Sequence, residues 1–354
     1  MQQKNIKTTR IMKLLFIGEK QETVRHGWDQ VNKRNQVVLE HLFETVDYLP
    51  LEYQSFQGKI YIGVTNSFLR KVDVALSRGY DYVFVCQSTC GRVCKFVRKK
   101  YPQTKIITFF HNIEKNYAKQ FFKVSGIKAI PFFIRASIFE KMAVNKSDYC
   151  ITLNRRDSDL LNQIYGKPAD AVMPTSLEDK FKEKDSIISN NDEIIDYLFV
   201  GTAFYPNIEG VQWFIDNVMP KVNGRFTVVG KDMREAIFNN LNNRVSIYGF
   251  VDDLSDFYRR AKCVVSPIFH GGGMKTKTAE ALMYGKLVLG TKEALEGYVI
   301  DSYSIIECNS SKDYVDTLSL FADSNKVYYQ ESRANFLRYC SYNSSEEVLS
   351  QLIK

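Results

Sequence analysis

The segment His270–Gly285, HGGGMKTKTAEALMYG, gathers groups that can hold an anion. It follows an apolar run, Cys263-Val264-Val265-Ser266, that reads as a buried strand. Its spacing predicts a helix over Met274–Tyr284, stopped by Gly285 as a left-handed cap. Three consecutive glycines, Gly271, Gly272 and Gly273, leave backbone N–H groups able to approach a ligand closely. The helix N-terminus adds partial positive charge, and Lys275 and Lys277 add full charges. Glu280 lies three residues beyond Lys277, so both can face one ligand. A diphosphate beside a hydroxylated sugar suits that set. The same residues also fit a glycine-rich loop that caps a helix whose lysines are solvated.

Such a segment needs a scaffold, and apolar runs alternate with helix-length segments along the whole chain. In the first half, Leu14–Ile17, Tyr82–Cys86, Lys105–Phe110 and Tyr149–Thr152 read as strands. Val31–Phe43, Ser67–Ser77, Arg92–Lys100 and Ser158–Tyr165 read as helices. After the polar stretch Thr175–Asp192 the alternation resumes. Strands are expected at Tyr197–Val200, Phe226–Val229, Val245–Ile247, Cys263–Ser266 and Leu287–Leu289. Helices are expected at Ile208–Val218, Leu254–Ala261 and Met274–Tyr284, with Pro206 where the first of them begins. This pattern argues for parallel sheets wound on both faces. The expected division is 1–175, a linker at 176–193, 194–330, and a C-terminal helical segment at 331–354. In open parallel sheets ligands bind beyond the C-terminal strand ends. Gly18, His111, Gly201 and His270–Gly273 all fall there, the last after what reads as the penultimate strand of the second domain.

With 354 residues, two domains are expected, and 45% hydrophobic with 13% aromatic residues supports filled cores rather than disorder. No apolar stretch approaches the length of a spanning helix, and Met1–Arg10 is polar and basic, unlike a signal peptide. Seven cysteines without metal-ligand pairing fit reduced thiols and a cytoplasmic place. Cys86, Cys90 and Cys94 recur every four residues, which reads as packing on a buried helix face. Residues 1–180 hold 29 Lys+Arg against 17 Asp+Glu, net +12, whereas the remainder is net −4. A basic half suits nucleic acid, an anionic membrane surface or an acidic acceptor, and no nucleic-acid motif accompanies it. Ala118–Val144 interleaves Phe121, Phe122, Ile127, Ile130, Phe132, Phe133, Ile134, Ile138 and Phe139 with five cations. Two accounts stay open there: an amphipathic helix pair packed on the domain's own core, and a peripheral membrane contact near Pro131.

The glycine loop resembles the donor-binding segment of the group 1, family-4-like retaining glycosyltransferases of the GT-B fold. The match runs over Gly271, Gly273, Lys275, Lys277, Glu280, Ala281, Leu282, Gly285 and Thr291. Tyr197–Gly201 with Tyr205-Pro206-Asn207, Trp213-Phe214-Ile215 and Pro220 resembles the opening of that family's C-terminal domain. Tyr248-Gly249-Phe250-Val251-Asp252-Asp253 resembles its nucleotide-base segment, and His111-Asn112-Ile113-Glu114 and Ser147-Asp148 resemble N-terminal motifs. The resemblance covers most of residues 11–300 and is strongest over 197–297.

The resemblance implies an α/β GT-B fold, two Rossmann-like doubly wound domains facing a central cleft. It implies transfer of a sugar from a nucleotide-sugar to an acceptor hydroxyl of a glycan or lipid-linked acceptor, as in bacterial surface polysaccharide synthesis. Lys277 first, Lys275 second and the Gly271–Gly273 amides would stabilise the leaving diphosphate. Glu280 would accept from the ribose hydroxyls, Gly201 would let the backbone approach the diphosphate, and Tyr248, Phe250 and Val251 would line the base. His111 would contact the donor sugar or cap its own loop, and His270 would do either as well. Glu114 would open the next helix. Gly18, His26 and Gly27 would lie at the acceptor. No cofactor or metal is expected, because lysines take the charge. Two departures stand out. Residues 202–207 hold no cation, where many members carry an arginine and a lysine, and Gly272 replaces a glutamate that would grip the sugar. A sugar-nucleotide epimerase and a non-catalytic binding subunit of the same fold are the competing readings.

Overall fold

The computed structural model describes residues 12–23, 27–56, 59–62, 64–125, 127, 130–189, 192–271, 273–322 and 324–353. His26 and Gly272 lie outside them. The chain forms two compact units, Met1–Met173 with Glu346–Lys354, and Pro174–Ser345.

The first unit is built on a parallel sheet of six strands in the order β2-β1-β5-β6-β7-β8. These are β1 (Lys13–Ile17), β2 (Thr45–Leu49), β5 (Tyr82–Val85), β6 (Lys105–Phe110), β7 (Tyr149–Thr152) and the short β8 (Ala171–Val172). An antiparallel hairpin, β3 (Tyr53–Phe56) and β4 (Lys59–Ile62), stands apart from the sheet. Helices α1 (Gly27–Leu42), α2 (Asn66–Leu76), α3 (Gly91–Lys100), α4 (Glu114–Ser125), α5 (Ile130–Lys146) and α6 (Arg155–Tyr165) connect the strands. The central strands are apolar on both sides because helices cover both faces. Phe16, Phe84 and Phe109 stack across three neighbouring strands, with ring centroids 5.1 and 6.3 Å apart. Cys86, Cys90 and Cys94 are buried free thiols in this core, and burial pushes the Cys86 thiol up to about 12.

The second unit has a parallel sheet in the order β11-β10-β9-β12-β13-β14. Its strands are β9 (Ile195–Val200), β10 (Phe226–Val229), β11 (Val245–Tyr248), β12 (Ala261–Ser266), β13 (Leu287–Gly290) and β14 (Ile305–Glu307). Strand alternation divides its core cleanly. Phe199, Val265 and Leu289 face one cluster, and their neighbours Leu198, Val264 and Val288 face the other. Helices α7 (Tyr205–Asn217), α8 (Ser255–Arg260), α9 (Thr276–Met283) and α10 (Ser311–Leu320) follow β9, β11, β12 and β14, and α11 (Gln330–Asn335) follows α10. The polar stretch after Met173 belongs to this unit and carries a single helical turn at Glu183–Ser186.

Several sequence expectations need correction. Strands β2 and β14 were not anticipated, so β12 is not the penultimate strand of its sheet. The helix expected from Met274 begins two residues later, at Thr276. The helical C-terminus is broken by a five-residue π turn at Phe336–Cys340 before α12 (Tyr342–Leu352). The expected caps at Gly285 and Pro206 are present: Gly285 has φ 63°, and Pro206 lies in the first turn of α7.

In the first unit, α3 and α5 approach closely at Gly91. A Cβ there would lie 2.0 Å from the Phe139 carbonyl oxygen and 2.7 Å from the Ala143 nitrogen. Both neighbours are backbone and cannot rotate away, so Gly91→Ala is expected to cost roughly 1–3 kcal/mol. Gly249→Ala, whose Cβ would meet only the Met233 carbonyl oxygen at 3.6 Å, serves as the control. Urea unfolding midpoints measure the difference, and equal losses in the two variants would refute the close-packing account.

Candidate functional site

The second sheet has its first strand, β9, in the middle, and strand order reverses between β9 and β12. Connections leave these two strands in opposite directions, which opens a crevice at their C-terminal ends. Gly201 follows β9, the glycine loop follows β12, and α9 starts beside them.

Lys277, in the first turn of α9, reaches back to the end of β9. Its ammonium donates to Asn207 Oδ1 at 2.7 Å and lies 4.2 Å from the Phe199 ring centroid. Asn207 is held in turn, its Nδ2 donating to the Thr202 carbonyl at 2.9 Å. A Cβ on Gly201 would stand 2.9 Å from Lys277 Nζ and 3.0 Å from Asn207 Nδ2, so only glycine leaves room for this arrangement. No carboxylate among the described residues pairs with Lys277. Burial, with the Lys275 charge adding to it, lowers the Lys277 ammonium to about 7.

Lys275 differs in kind. Its backbone is extended (φ −90°, ψ 108°), which places it at the N-cap rather than in the helix. The Lys275 carbonyl accepts from Thr278 N at 3.0 Å and from Tyr298 Oη at 2.7 Å, and Ala279 N donates to the same tyrosine oxygen at 3.2 Å. Met274 is drawn inward, where its sulfur accepts from Thr175 N at 3.4 Å. These long-range partners turn the chain before the helix starts. Lys275 Nζ then donates to the Gly273 carbonyl at 2.9 Å and to Glu293 Oε1 at 3.0 Å. Gly271 and Gly273, with φ 142° and 66°, hold the loop in conformations that glycine favours.

Glu280 is half-buried, and its Oε2 accepts from Tyr258 Oη at 2.9 Å. Burial raises its carboxyl above the usual range, against the opposing pull of the Tyr258 bond and the Lys180 charge. Tyr258 stacks on Tyr284 at 4.9 Å. Tyr248 closes β11 with its ring edge-on to Phe257 at 5.2 Å, Phe250 projects with 70% of its surface exposed, and Val251 packs inward. His270 is exposed, 3.7 Å from Glu209 Oε1.

Three further candidates belong to the first unit. Gly18 follows β1, and its nitrogen donates to the Leu49 carbonyl at 2.9 Å. Gly27 opens α1. His111 follows β6 and is buried, its Nε2 donating to Asn32 Oδ1 at 3.3 Å on α1. Its ring packs 5.3 Å from Trp28 and edge-on to Phe109 at 5.0 Å. Burial first, and the Arg34 guanidinium second, hold the imidazole down at about 3. His111 is therefore neutral at ordinary pH. Its other ring nitrogen, Nδ1, is buried. The next helix opens at Glu114, and Glu140 of α5 accepts from the Glu114 and Lys115 nitrogens at 2.6 and 3.2 Å, from Tyr165 Oη at 2.8 Å and from Ser88 Oγ at 3.1 Å. Sequence reasoning gave no role to Glu140, Tyr258 and Glu293, and it met Asn207 and Tyr298 only as parts of the matched segments Tyr205-Pro206-Asn207 and Glu296-Gly297-Tyr298.

A base with a depressed pKa binds anions best while it keeps its proton. Affinity for a nucleoside diphosphate, read by calorimetry, should therefore fall between about pH 7 and 9, by up to roughly tenfold per unit. Lys277→Met should remove that dependence. Without ligand, the unfolded chain binds more protons than the folded one from about pH 7 to 10, so stability rises with pH across that window and Lys277→Met flattens the rise. A flat affinity profile in the unsubstituted protein would overturn this role.

The model of the family Glycosyl transferases group 1 matches residues 195–321, the segment that carries β9 to α10. A curated relative, an uncharacterised 44.6 kDa protein of the cps region of Klebsiella pneumoniae, is 26% identical over 277 residues. That match covers 72% of this chain and 65% of the relative's length. The solved structure of Anabaena HepE in complex with UDP aligns over 97% of this chain and 99% of its own, with a TM-score of 0.64 and 12% identity. WaaG, a glycosyltransferase involved in lipopolysaccharide biosynthesis, aligns over 96% and 99%, with a TM-score of 0.62 and 13% identity. The chain thus has the GT-B fold, and the segment 195–321 of its second unit matches the family model of the group 1 glycosyltransferases.

Proposed function

We propose that the protein is a retaining, metal-independent hexosyltransferase. It would move a sugar from a nucleotide-sugar to a hydroxyl of a glycan or lipid-linked acceptor in the assembly of a bacterial surface polysaccharide, without a cofactor. It would work in the cytoplasm, peripheral to the membrane. The observation that carries this reading is Lys277, a cation beside the glycine loop whose partner is an amide rather than a carboxylate. HepE is solved with UDP and with UDP-glucose, and the curated relative comes from a cps region, both of which support a nucleotide-sugar and a surface glycan.

In the reaction, the bond from the sugar's anomeric carbon to the diphosphate breaks while the acceptor oxygen bonds to that carbon on the same face. The acceptor proton leaves toward the departing phosphate. Negative charge grows on the diphosphate, and Lys277 with the amides of the Gly271–Gly273 loop would meet it. An ammonium near neutrality on its own regains full charge beside a phosphate. Lys275, already paired with Glu293, would contribute less. The Glu280 carboxylate, oriented by Tyr258, would accept from ribose hydroxyls, and Tyr248, Phe250 and Val251 would flank the base. His111 would contact the donor sugar. Gly18, His26 and Gly27 would border the acceptor.

Incubation with UDP-, GDP- and ADP-sugars, followed by assay of nucleoside diphosphate release, tests the reading. Lys277→Ala is expected to lower turnover roughly 10²–10³-fold with a smaller change in donor affinity. Lys275→Ala should cost less. Full turnover in the double variant, or no release from any donor, would sink the proposal.

A further inference from the structure

We propose that Trp28, with Glu19 and Asn32, forms the subsite for the acceptor's terminal sugar and restricts it to pyranoses without a negative charge. This rests on the reading above that Gly18 and Gly27 border the acceptor, and it adds the class of sugar taken there. Beyond the C-terminal end of β1 lies a shallow cleft of about 290 Å³, its open mouth included. Its lining includes Gly18, Glu19, Gln21, Trp28, Asn32 and Leu51. That volume lies near the lower bound for small-molecule sites and suits one ring rather than a chain. Trp28, in the first turn of α1, is 37% exposed, and His111 backs it at 5.3 Å. The opposite wall is held from within. Gln36, 2% exposed, accepts from Gln21 N and donates to the Glu19 carbonyl, both at 2.7 Å. A Cβ on Gly18 would stand 2.6 Å from Phe16 Cε1 and 2.8 Å from Cys86 Sγ, so glycine keeps the floor in place. Both walls are therefore set before a ligand arrives.

The chemistry of these walls selects the occupant. A pyranose carries hydroxyls around its edge and C–H groups on its faces. An exposed indole offers those C–H groups an apolar surface at low conformational cost. Glu19 is exposed, and its carboxylate accepts from hydroxyls. Asn32, 3% exposed, adds an amide 3.3 Å from His111 Nε2. No lysine or arginine lines the cleft among the described residues. Lys20, next to Glu19, pairs with Glu40 at 3.3 Å and lies over the Tyr48 ring at 5.3 Å. The Arg34 guanidinium is buried over the Phe109 ring at 5.5 Å. A uronate or a phosphorylated sugar would therefore meet a carboxylate with no cation at the cleft to offset it. The net charge of +12 over residues 1–180 suits an acidic acceptor, but the cleft itself carries the opposite sign.

The chain has two tryptophans, and Trp213 sits in the second unit against Phe269 and Tyr314. In the full-length Trp213→Phe variant the indole emission reports Trp28 alone. Titration with methyl glucoside, methyl galactoside and methyl N-acetylglucosaminide should shift that emission saturably, in the millimolar range, for at least one of them. Methyl glucuronide, which differs from methyl glucoside only by its carboxylate, should bind roughly tenfold or more weakly than the best neutral sugar. Glu19→Gln in the same background should remove most of that difference. Saturation-transfer NMR of the bound sugar should show its ring C–H protons against the protein, lose the signal in Trp28→Ala and regain part of it in Trp28→Phe. Nucleoside diphosphate affinity and the melting curve, read on the same samples, should hold in Trp28→Phe and Glu19→Gln, which separates this cleft from the donor site and from misfolding. No saturable shift with any glycoside, glucuronide binding as tight as that of the neutral sugars, or saturation transfer unchanged in Trp28→Ala would overturn the proposal. Binding that depends on Trp28, without nucleoside diphosphate release from any donor, would uphold it and sink the transfer reading instead. Transfer to a neutral glycoside that Trp28→Ala leaves unchanged would do the reverse.

Discussion

The ammonium of Lys277 meets an amide oxygen at 2.7 Å and an aromatic face at 4.2 Å, and the second unit is arranged around keeping it so. A carboxylate partner would neutralise it, and open water would hydrate it. Asn207 holds it by a neutral hydrogen bond, which leaves its charge uncompensated. Gly201 leaves the space, and the reversal of strand order between β9 and β12 sets the loop and the helix start side by side. The cost is a depressed pKa, since burial and the Lys275 charge both disfavour the ammonium.

Lys275 shows the contrast. It is two residues away in sequence, yet it is tied to Glu293 and to the Gly273 carbonyl. It thereby fixes the loop's shape. The missing cations at 202–207 and the glycine at 272 make this division of labour sharper, since few other groups in the segment carry charge.

In the first unit, the tight α3–α5 contact determines both the inside and the outside. Small residues turned inward at Gly91, Ala136 and Ala143 draw the helices together. The same rotation of α5 about its axis directs Ile130, Ile134 and Ile138 outward and brings Glu140 to the α4 N-terminus. That carboxylate satisfies two backbone N–H groups of α4 and so orders the turn that carries His111. Packing, capping and surface chemistry therefore share one cause.

The sequence by itself determined most of the central strands, several of the helices and the place of the glycine loop. These are local: apolar runs buried on two faces, and glycines and a proline at required caps, need only their neighbours to be read. Strand β2 escaped because Thr45–Leu49 is a half-buried edge strand of mixed polarity, without a period to detect. Only the tertiary structure decided the rest. Asn207 and Lys277 are seventy residues apart and meet because β9 and β12 pair. The start of α9 depends on Tyr298 and Thr175, which no helix signal includes. The sequence does not fix which side of α5 is buried, because aliphatic side chains look alike on either face; in the structure Ala136, Glu140, Ala143 and Val144 turn inward, and the backbones of α3 and α5 approach closely at Gly91.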